Sequence, residues 1–315
     1  GNQLLNTPFI NLQDGRMRPT VVQGLWSSIS LHKKMKLEVA YLYGISPRST
    51  FQYYRMGSSI GIYSMGVNTD GSKSDYKGNL QSDGVILAAL HYRPNKKTYI
   101  QLWEQSVTGI FHTAMLQADY KLHQSKRGAW SAAFQSLTQL PIRDGGNSDR
   151  TKTYYFGNAT CWTFGGKVAW TGNRFDASLN YNRITMHGRY LMPREWGRDP
   201  FFTFMPRERN EGFGDVHAFM GKLGYQIPAR RFKASLAAGY YLLPDVKNYR
   251  LNKYGMPSYA QLNIDLRHEL SGLLKPLEVQ LLYVYKAELG STYDNLKFVF
   301  NKVNMSHLNL VMNYR

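Results

Sequence analysis

The sequence alternates apolar and polar residues over runs of about ten positions. Between Pro257 and His268 the apolar series is Ala260, Leu262, Ile264 and Leu266, and the polar series is Gln261, Asn263, Asp265 and Arg267. Successive side chains of an extended strand point to opposite faces, whereas a helix would need a period near 3.6 residues. The chain is therefore predicted to form long β-strands, each with one apolar and one polar face.

About thirteen such strands can be placed along the chain. They lie near 22–32, 35–46, 84–93, 97–106, 109–122, 127–138, 158–170, 173–185, 216–226, 231–243, 258–269, 276–287 and 304–315. Short connections at 32–34, 94–97, 171–173 and 228–230 alternate with long polar ones near 47–83, 139–157, 186–215, 244–257 and 288–303. This spacing predicts an antiparallel sheet with tight turns at one end and long loops at the other.

Composition narrows the fold class further. No window of the 315 residues approaches 18 uninterrupted apolar positions, which excludes a membrane protein built from helices. The single cysteine, Cys161, cannot form an intrachain disulfide. Aromatic residues lie near strand ends on the apolar faces, at Tyr41, Tyr43, Tyr92, Tyr120, Trp130, Phe175, Phe232, Tyr240, Tyr283 and Tyr314. Because such girdles flank the lipid-facing band of outer-membrane barrels, we expect an all-β transmembrane antiparallel barrel in the bacterial outer membrane.

The odd strand count is difficult to reconcile with a complete barrel. In hydrocarbon each unpaired backbone group costs several kcal/mol, so a membrane-spanning sheet must close on itself. Bacterial single-chain barrels have an even number of strands. The sequence therefore predicts either one unrecognised strand or a chain that lacks its beginning.

Two segments resemble a known family. The loop at 186–215 contains Trp196-Gly197-Arg198-Asp199-Pro200-Phe201 and Glu208-Arg209-Asn210-Glu211-Gly212. Near the start, Asn6-Thr7-Pro8-Phe9 is followed by Asp14-Gly15-Arg16-Met17-Arg18-Pro19 and by Gln23-Gly24. Both segments resemble OprD-type substrate-specific outer-membrane porins, and with the strand pattern the resemblance extends over nearly all 315 residues.

The resemblance implies a monomeric 18-stranded barrel in which the Thr-Pro element follows roughly five strands. Residues 1–315 are accordingly expected to form a single barrel domain that lacks about five N-terminal strands. The C-terminal Tyr314-Arg315 departs from the final aromatic residue that is typical of such barrels. The resemblance also implies a basic ladder that guides small carboxylate-bearing solutes, with no cofactor and no metal.

Strand parity assigns a set of basic residues to the inner wall. They are Lys36, Arg93, Lys121, Lys167, Lys233, Arg267, Lys286 and Arg315, and they outnumber the acidic residues of that face, Glu38, Asp119, Asp176, Asp265 and Glu278. A wall of one charge sign concentrates anions in a narrow channel. The alternative is that these side chains pair with neighbouring carboxylates and only stabilise the wall.

Two long loops are candidates for bracing or constricting the channel. The aromatic cluster within 186–215 suggests that this loop folds inward and packs, held by pairs among Arg194, Asp199, Arg207, Glu208, Arg209 and Glu211 around Trp196. The glycine-rich segment 139–157, with Arg143 and Asp144, is predicted to narrow the channel; the alternative is an exposed flexible tip. The stretch 47–83 could add a short helix.

The sequence thus predicts a porin for passive diffusion of small anionic or carboxylate-bearing solutes, in contact with outer-membrane lipid and lipopolysaccharide. Oligosaccharides or peptides are alternative solutes. An outer-membrane barrel enzyme is less favoured, because the chain carries no nucleophile elbow, Walker loop, dinucleotide fingerprint or metal-ligand spacing of histidines. The pI of 9.8 would also be consistent with a soluble β protein that binds nucleic acid. That hypothesis does not explain the apolar strand faces, which would have no second protein layer to pack against.

Overall fold

The computed structural model describes residues 1–12, 18–157, 159–274 and 277–314. Its strands are β1 (Asn2–Gln3), β2 (Val21–His32), β3 (Met35–Ser46), β4 (Tyr54–Arg55), β5 (Val85–Tyr92), β6 (Thr98–Val107), β7 (Phe111–Gln124), β8 (Gly128–Pro141), β9 (Cys161–Gly172), β10 (Phe175–Ile184), β11 (Val216–Ile227), β12 (Phe232–Leu242), β13 (Tyr259–Glu269), β14 (Leu277–Glu288) and β15 (Met305–Tyr314). Asp14 to Met17 of the Thr-Pro element and Arg315 of the inner-wall set lie outside the described residues.

The strands form one antiparallel sheet in sequence order. Each long strand pairs with the strands before and after it, and the two-residue strand β4 pairs with β3. Within the described residues the sheet is open, since β1 and β15 end the path without pairing to each other. Apart from β1 and β4, the described ranges contain thirteen long strands, so the predicted all-β antiparallel architecture is confirmed.

Helical structure is sparse. Helix α1 spans Met56–Ser59, inside the stretch where a short helix was predicted, and helix α2 spans Leu296–Val299. Two three-residue 3₁₀ helices, Pro228–Arg230 and Gly272–Leu274, lie in connections at the tight-turn end. In the described part of the chain, no helix has the length and apolar character needed to cross a membrane.

The two faces of the sheet differ in the way that the alternation predicts. On the outer face, large apolar side chains are open to the surroundings, as at Leu179 (74% exposed) and Leu310 (61%). On the inner face, polar side chains such as Gln261 and Asn263 are 2% and 3% exposed. A continuous apolar surface of this kind is unfavourable in water and favourable in a bilayer.

Exposed aromatic residues form a ring near each edge of the outer face. At the long-loop end the ring contains Tyr41, Tyr43, Trp162, Phe164, Phe219, Tyr240 and Tyr285. At the tight-turn end it contains Tyr92, Tyr120, Trp130, Phe175 and Tyr314. Aromatic side chains in such positions match the two interfaces of a membrane.

The buried core lies on the inner side of the sheet, at the long-loop end. Loop residues such as Tyr190 and Trp196 pack there with wall residues such as Leu42, Phe111 and Tyr241, all of which are almost fully buried. The loops therefore fold over and into the concave side of the sheet and do not extend freely from its edge. This packing positions the candidate functional site.

Candidate functional site

The connection between β10 and β11, residues 185–215, crosses the inner side of the sheet. At one end, Gln139 of β8 donates from Nε2 to the Leu191 carbonyl (2.7 Å) and accepts at Oε1 from the Leu191 backbone N–H (2.8 Å). At the other end, Gln261 and Asn263 of β13 donate to the Pro206 carbonyl at 2.8 and 3.0 Å. The connection, called the infolded loop below, thus spans the interior from β8 to β13.

Trp196 anchors the infolded loop to the neighbouring long connection 47–84. Its side chain is fully buried, and its Nε1 donates to Ser59 Oγ of α1 at 2.8 Å. The preceding Glu195 accepts backbone N–H bonds at Oε1 from Gly61 (3.1 Å) and Tyr63 (2.7 Å). The inward packing expected from the aromatic cluster of this loop is therefore observed, with one neighbouring loop clamped against it.

The two segments that resemble the porin family meet at this anchor. The Asn11 backbone N–H donates to the Trp196 carbonyl (2.9 Å), the Asn11 side-chain amide donates to the Arg198 carbonyl (2.9 Å), and Asn11 Oδ1 accepts from the Arg198 backbone N–H (3.0 Å). Gly197 between them has φ of +138°, and a Cβ there would collide with Asn11. The position requires glycine for both reasons.

A buried carboxylate forms an ion pair that joins two segments of the infolded loop, one near its beginning and one near its end. Arg194 Nε donates to Glu211 Oε1 at 2.5 Å, and the guanidinium carbon lies 4.0 Å from the ring centre of Tyr254. Tyr254 OH donates to the same carboxylate at 2.9 Å. The Glu211 side chain is 1% exposed. These hydrogen bonds satisfy the buried carboxylate, while the Arg194 side chain stays 28% exposed.

Lys253, on the connection between β12 and β13, is enclosed by tyrosine rings from other loops. Its Nζ lies 4.9 Å from the ring centre of Tyr76, 4.7 Å from that of Tyr154 and 5.5 Å from that of Tyr254, and it donates to Tyr76 OH at 3.1 Å. Burial lowers the pKa of Lys253 to about 7. Sequence reasoning missed this residue, because a lone lysine in a polar loop carries no signal of burial.

Arg189 was also missed as a site residue. It donates to the carbonyl groups of Val67, Asn68 and Tyr249, at 2.8 Å to the first and 3.1 Å to the second. Burial lowers its pKa to about 10. The guanidinium therefore joins three separate segments through backbone acceptors that no sequence motif marks.

The middle of the infolded loop holds two buried carboxylates. Asp199 Oδ2 accepts the Asn210 backbone N–H at 3.0 Å, and burial raises the Asp199 pKa to about 6, an effect that the positive charge of Arg209 only partly offsets. Glu208 accepts from Tyr259 OH at 3.4 Å, and burial together with the nearby Asp199 raises its pKa well above the usual range. Lys286 of the β14 wall faces Glu208 and offsets part of that cost.

The Asp199→Asn variant should lose part of the pH dependence of stability. Asp199 has a pKa of about 6 in the folded chain against a usual value of 3.8. Since the folded state holds a proton that the unfolded state has released, the contribution of Asp199 to the free energy of unfolding is fully present below about pH 4 and falls by up to about 3 kcal/mol as the pH rises through about 6. An asparagine amide oxygen still accepts the Asn210 N–H and does not titrate.

Urea unfolding in detergent at pH 4 and pH 7 measures this effect. The stability of Asp199→Asn relative to wild type should be greater at pH 7 than at pH 4. The matched control is Asp144→Asn, which removes an exposed carboxylate. If the free energies of unfolding of wild type and variant differed by the same amount at both pH values, the raised pKa of Asp199 would be contradicted.

The remaining loop residues predicted from sequence lie at the surface of this core. Arg207 is exposed, adopts a positive φ of 68°, and donates to Asn309 Oδ1 of β15 at 2.8 Å. Arg143 and Asp144 are exposed, whereas Tyr154 and Tyr155 of the same connection are buried. A constricting role for Arg143 and Asp144 stays a prediction.

The predicted inner-wall cations fall into two groups. In the first, each cation has a neighbour on the wall: Lys36 Nζ lies 2.5 Å from Glu38 Oε1, the Arg93 guanidinium lies 3.9 Å from the Tyr99 ring centre, Arg267 Nη2 lies 2.9 Å from Asp265 Oδ2, and Lys286 Nζ lies 4.6 Å from the Tyr259 ring centre. Each of these four side chains therefore has a local partner that can stabilise the wall.

The second group consists of lysines without an ionic partner among the described residues, namely Lys121, Lys167 and Lys233. Lys167 stands opposite Ala133 and Asn180, and Lys233 stands opposite Gln226 and Arg267. Their strands place them on the inner face with the buried polar residues. They are at least partly exposed to the interior.

Lys222 of β11 belongs with this second group and was missed. It stands opposite Ser178 and Ala237 on the inner face and is exposed. Parity could have found it, since it alternates with Phe219, Gly221 and Leu223, which face outward.

Comparison with solved structures finds the same architecture in porins of Pseudomonas aeruginosa. OccK3 (OpdO) has a TM-score of 0.73 at 14% identity, covering 100% of this chain and 74% of that chain. OpdK, solved with vanillate, has a TM-score of 0.76 at 14% identity, covering 99% and 74%. OccK8 (OprE) has a TM-score of 0.71 at 16% identity, covering 91% and 72%.

Neither protein-family profiles nor curated protein sequences match the chain. The likeness to the solved structures therefore rests on the fold. At sequence identities this low, the fold of related proteins is conserved far better than their sequence. The likeness covers essentially the whole chain and extends over about three quarters of OccK3 and OpdK. The resemblance that the two sequence segments suggested is thus confirmed in the fold: the described residues form an open antiparallel sheet that matches the barrels of the OprD-type outer-membrane porins over about three quarters of their length.

Proposed function

We propose that the protein is an outer-membrane porin that admits small anionic, carboxylate-bearing solutes by passive diffusion. The observation that carries this proposal is a set of inner-wall lysines that have no ionic partner in the part of the chain that the structure describes, namely Lys121, Lys167, Lys222 and Lys233. A cation held on a low-dielectric wall and not neutralised by a neighbouring carboxylate attracts anions into the channel.

The position of the infolded loop supports selectivity. The loop packs on the wall at Gly239, where a Cβ would lie 2.9 Å from Met205 Sδ, while Lys222 and Lys233 stand further toward the tight-turn end. A solute that passes the infolded loop would meet these lysines next. Arg207, exposed at the edge of the loop, adds a further positive charge.

The membrane setting is supported by the outer face and by the structural neighbours. Exposed aliphatic side chains between two aromatic rings fit lipid contact, and the neighbours are porins and not enzymes. OpdK was solved with vanillate, which is a small carboxylate. In this proposal the protein acts as a monomeric barrel in outer-membrane lipid. Solutes diffuse through it without a cofactor and without catalytic turnover.

Planar-bilayer recording of the full-length protein tests the proposal. We expect discrete conductance steps and, under a salt gradient, a reversal potential of the sign that anion preference gives. Liposome swelling should be faster with small carboxylates than with neutral oligosaccharides or peptides of similar size. Absence of conductance from folded protein would refute the channel, and a cation-selective reversal potential would refute the anionic solute class.

A further inference from the structure

The tight-turn end of the sheet carries positive charge without negative charge. The turns that join β2 to β3, β5 to β6, β7 to β8, β9 to β10 and β11 to β12 contain no aspartate or glutamate. Every one of them contains exposed basic residues, namely Lys33, Lys34, Arg93, Lys96, Lys97, Lys126, Arg127, Arg174, Arg230 and Arg231. Among residues 18–157, 159–274 and 277–314, none of these cations has an ionic partner. The long loops at the other end instead mix acidic and basic residues.

The densest part of this basic surface is formed by two adjoining turns. The Lys34 carbonyl accepts from the Arg93 backbone N–H at 2.8 Å, and Lys34 Nζ donates to the Pro94 carbonyl at 2.8 Å. The turn from β2 to β3 is thus held against the turn from β5 to β6. The lysines that this contact brings together, called the turn patch below, are Lys33, Lys34, Lys96 and Lys97.

The turn patch lies at the level of a membrane interface. Tyr92 and Tyr120 of the aromatic ring at this end are 37% and 45% exposed. Tyr92 is the last residue of β5, so the turn at 93–97 follows it directly. Tyr120 stands opposite Thr98, the residue after Lys97. Because interfacial aromatic rings lie at the level of the lipid head groups, lysine side chains that begin a few residues beyond them can reach lipid phosphates.

The short turns of an outer-membrane barrel face the periplasm. The lipids on that side of the outer membrane are phospholipids, and some of them carry a net negative charge. A cluster of lysines and arginines beside a membrane attracts anionic head groups over about one Debye length. We propose that the basic turns, and the turn patch above all, bind anionic phospholipid head groups at the periplasmic surface. The proposal rests on the membrane setting of the proposed function.

The distribution of the cations favours a lipid layer over a compact acidic ligand. The turns lie along one continuous edge of the sheet, where the Lys121 N–H donates to the Lys97 carbonyl at 2.9 Å. Further along the edge, the Gln226 N–H donates to the Arg174 carbonyl at 2.8 Å. A row of charges along an edge matches a layer of head groups, whereas recognition of a compact anion would need charges that converge on one point.

Lipid competition in detergent micelles tests the proposal. The delipidated full-length protein is incubated with equal amounts of phosphatidylglycerol and phosphatidylethanolamine of the same acyl chains, and mass spectrometry quantifies the lipid that copurifies. The wild type should retain more phosphatidylglycerol. This excess should shrink when the salt is raised from about 0.1 M to about 1 M, because the screening length falls from about 10 Å to about 3 Å.

Neutralising the turn patch should remove much of this preference. The variant carries Lys33→Gln, Lys34→Gln, Lys96→Gln and Lys97→Gln. Its ratio of phosphatidylglycerol to phosphatidylethanolamine should fall at least about fivefold, the factor expected for one cation near an anionic lipid surface. Arginine at the same four positions keeps the charge and should keep the wild-type ratio.

The matched control removes the same charge from the long-loop end. Arg55→Gln, Lys73→Gln, Lys77→Gln and Arg250→Gln replace exposed cations there and should leave the lipid ratio unchanged. A fall as large as that of the turn-patch variant would show that net charge alone sets the ratio, and would overturn the proposal. Equal retention of both lipids by the wild type would overturn it as well, as would a preference that does not respond to salt.

Planar-bilayer recording separates this surface from the channel. The turn patch lies outside the set of inner-wall lysines, so its glutamine variant should keep the wild-type conductance and reversal potential. A wild type that prefers phosphatidylglycerol but shows no conductance would refute the porin function and leave the lipid surface standing. Normal conductance without lipid preference would refute the lipid surface alone.

Discussion

The double variant Lys167→Glu, Lys222→Glu should convert the proposed anion-preferring channel into a cation-preferring one. Both side chains face the interior without an ionic partner among the described residues, so each substitution replaces an unpaired positive charge with an unpaired negative one. We expect the anion-to-cation permeability ratio to fall by at least about tenfold, which corresponds to about 1.4 kcal/mol. The reversal potential under a salt gradient measures this ratio.

The control for this variant changes the same charge outside the interior. Lys96→Glu, Lys126→Glu alters two exposed lysines in connections at the tight-turn end. Screening over about 10 Å at 0.1 M salt should leave the reversal potential of this control near that of the wild type. If the wall variant keeps the wild-type anion preference, or if both variants shift it equally, Lys167 and Lys222 do not set selectivity.

The variant Glu211→Ala should destabilise the protein by about 3–5 kcal/mol, because it removes one partner of a buried ion pair and leaves the other charge uncompensated. Arg194 would lose its acceptor, and the hydroxyl of Tyr254 would lose its hydrogen bond. We also expect a noisier and larger conductance of the proposed channel, since this pair holds the first and last parts of the infolded loop together. Urea unfolding in detergent and single-channel recording give the two measurements.

Two further variants make the Glu211 result specific. Asp144→Ala removes an exposed carboxylate and should change stability by less than about 0.5 kcal/mol. Glu211→Gln keeps an acceptor for Tyr254 but removes the charge, so it should remain strongly destabilised if the ion pair is the main contribution. A Glu211→Ala protein with wild-type stability and conductance would show that the loop is held by its other contacts.

The fold could be predicted from sequence because membrane-facing strands obey a simple two-residue period. The predicted run at 258–269 corresponds to Tyr259–Glu269, and the run at 35–46 corresponds to Met35–Ser46. The same parity places Lys167 and Lys233 on the inner face. Boundaries were less accurate where aromatic and polar residues mix, as at β9, which begins at Cys161 and not at 158.

The interior of the site was only partly predictable. The aromatic content around Trp196 indicated that the infolded loop packs inward, because burying large apolar side chains away from water lowers the free energy of the folded chain. Nothing local indicated that Lys253 would lie against Tyr76, which is 177 positions away. Such contacts depend on how several loops pack over one end of the sheet, and single-sequence patterns contain no information on that packing.

Wall amides hold the infolded loop by its backbone. Gln135 donates to the Pro200 carbonyl at 3.1 Å, Gln139 binds the backbone of Leu191, and Gln261 donates to the Pro206 carbonyl. Every amino acid supplies a carbonyl oxygen, so these bonds do not depend on which side chains the loop carries. The side chains of the infolded loop can therefore change while its backbone stays attached to the same wall positions, so the chemistry of the loop surface can evolve without rebuilding the sheet.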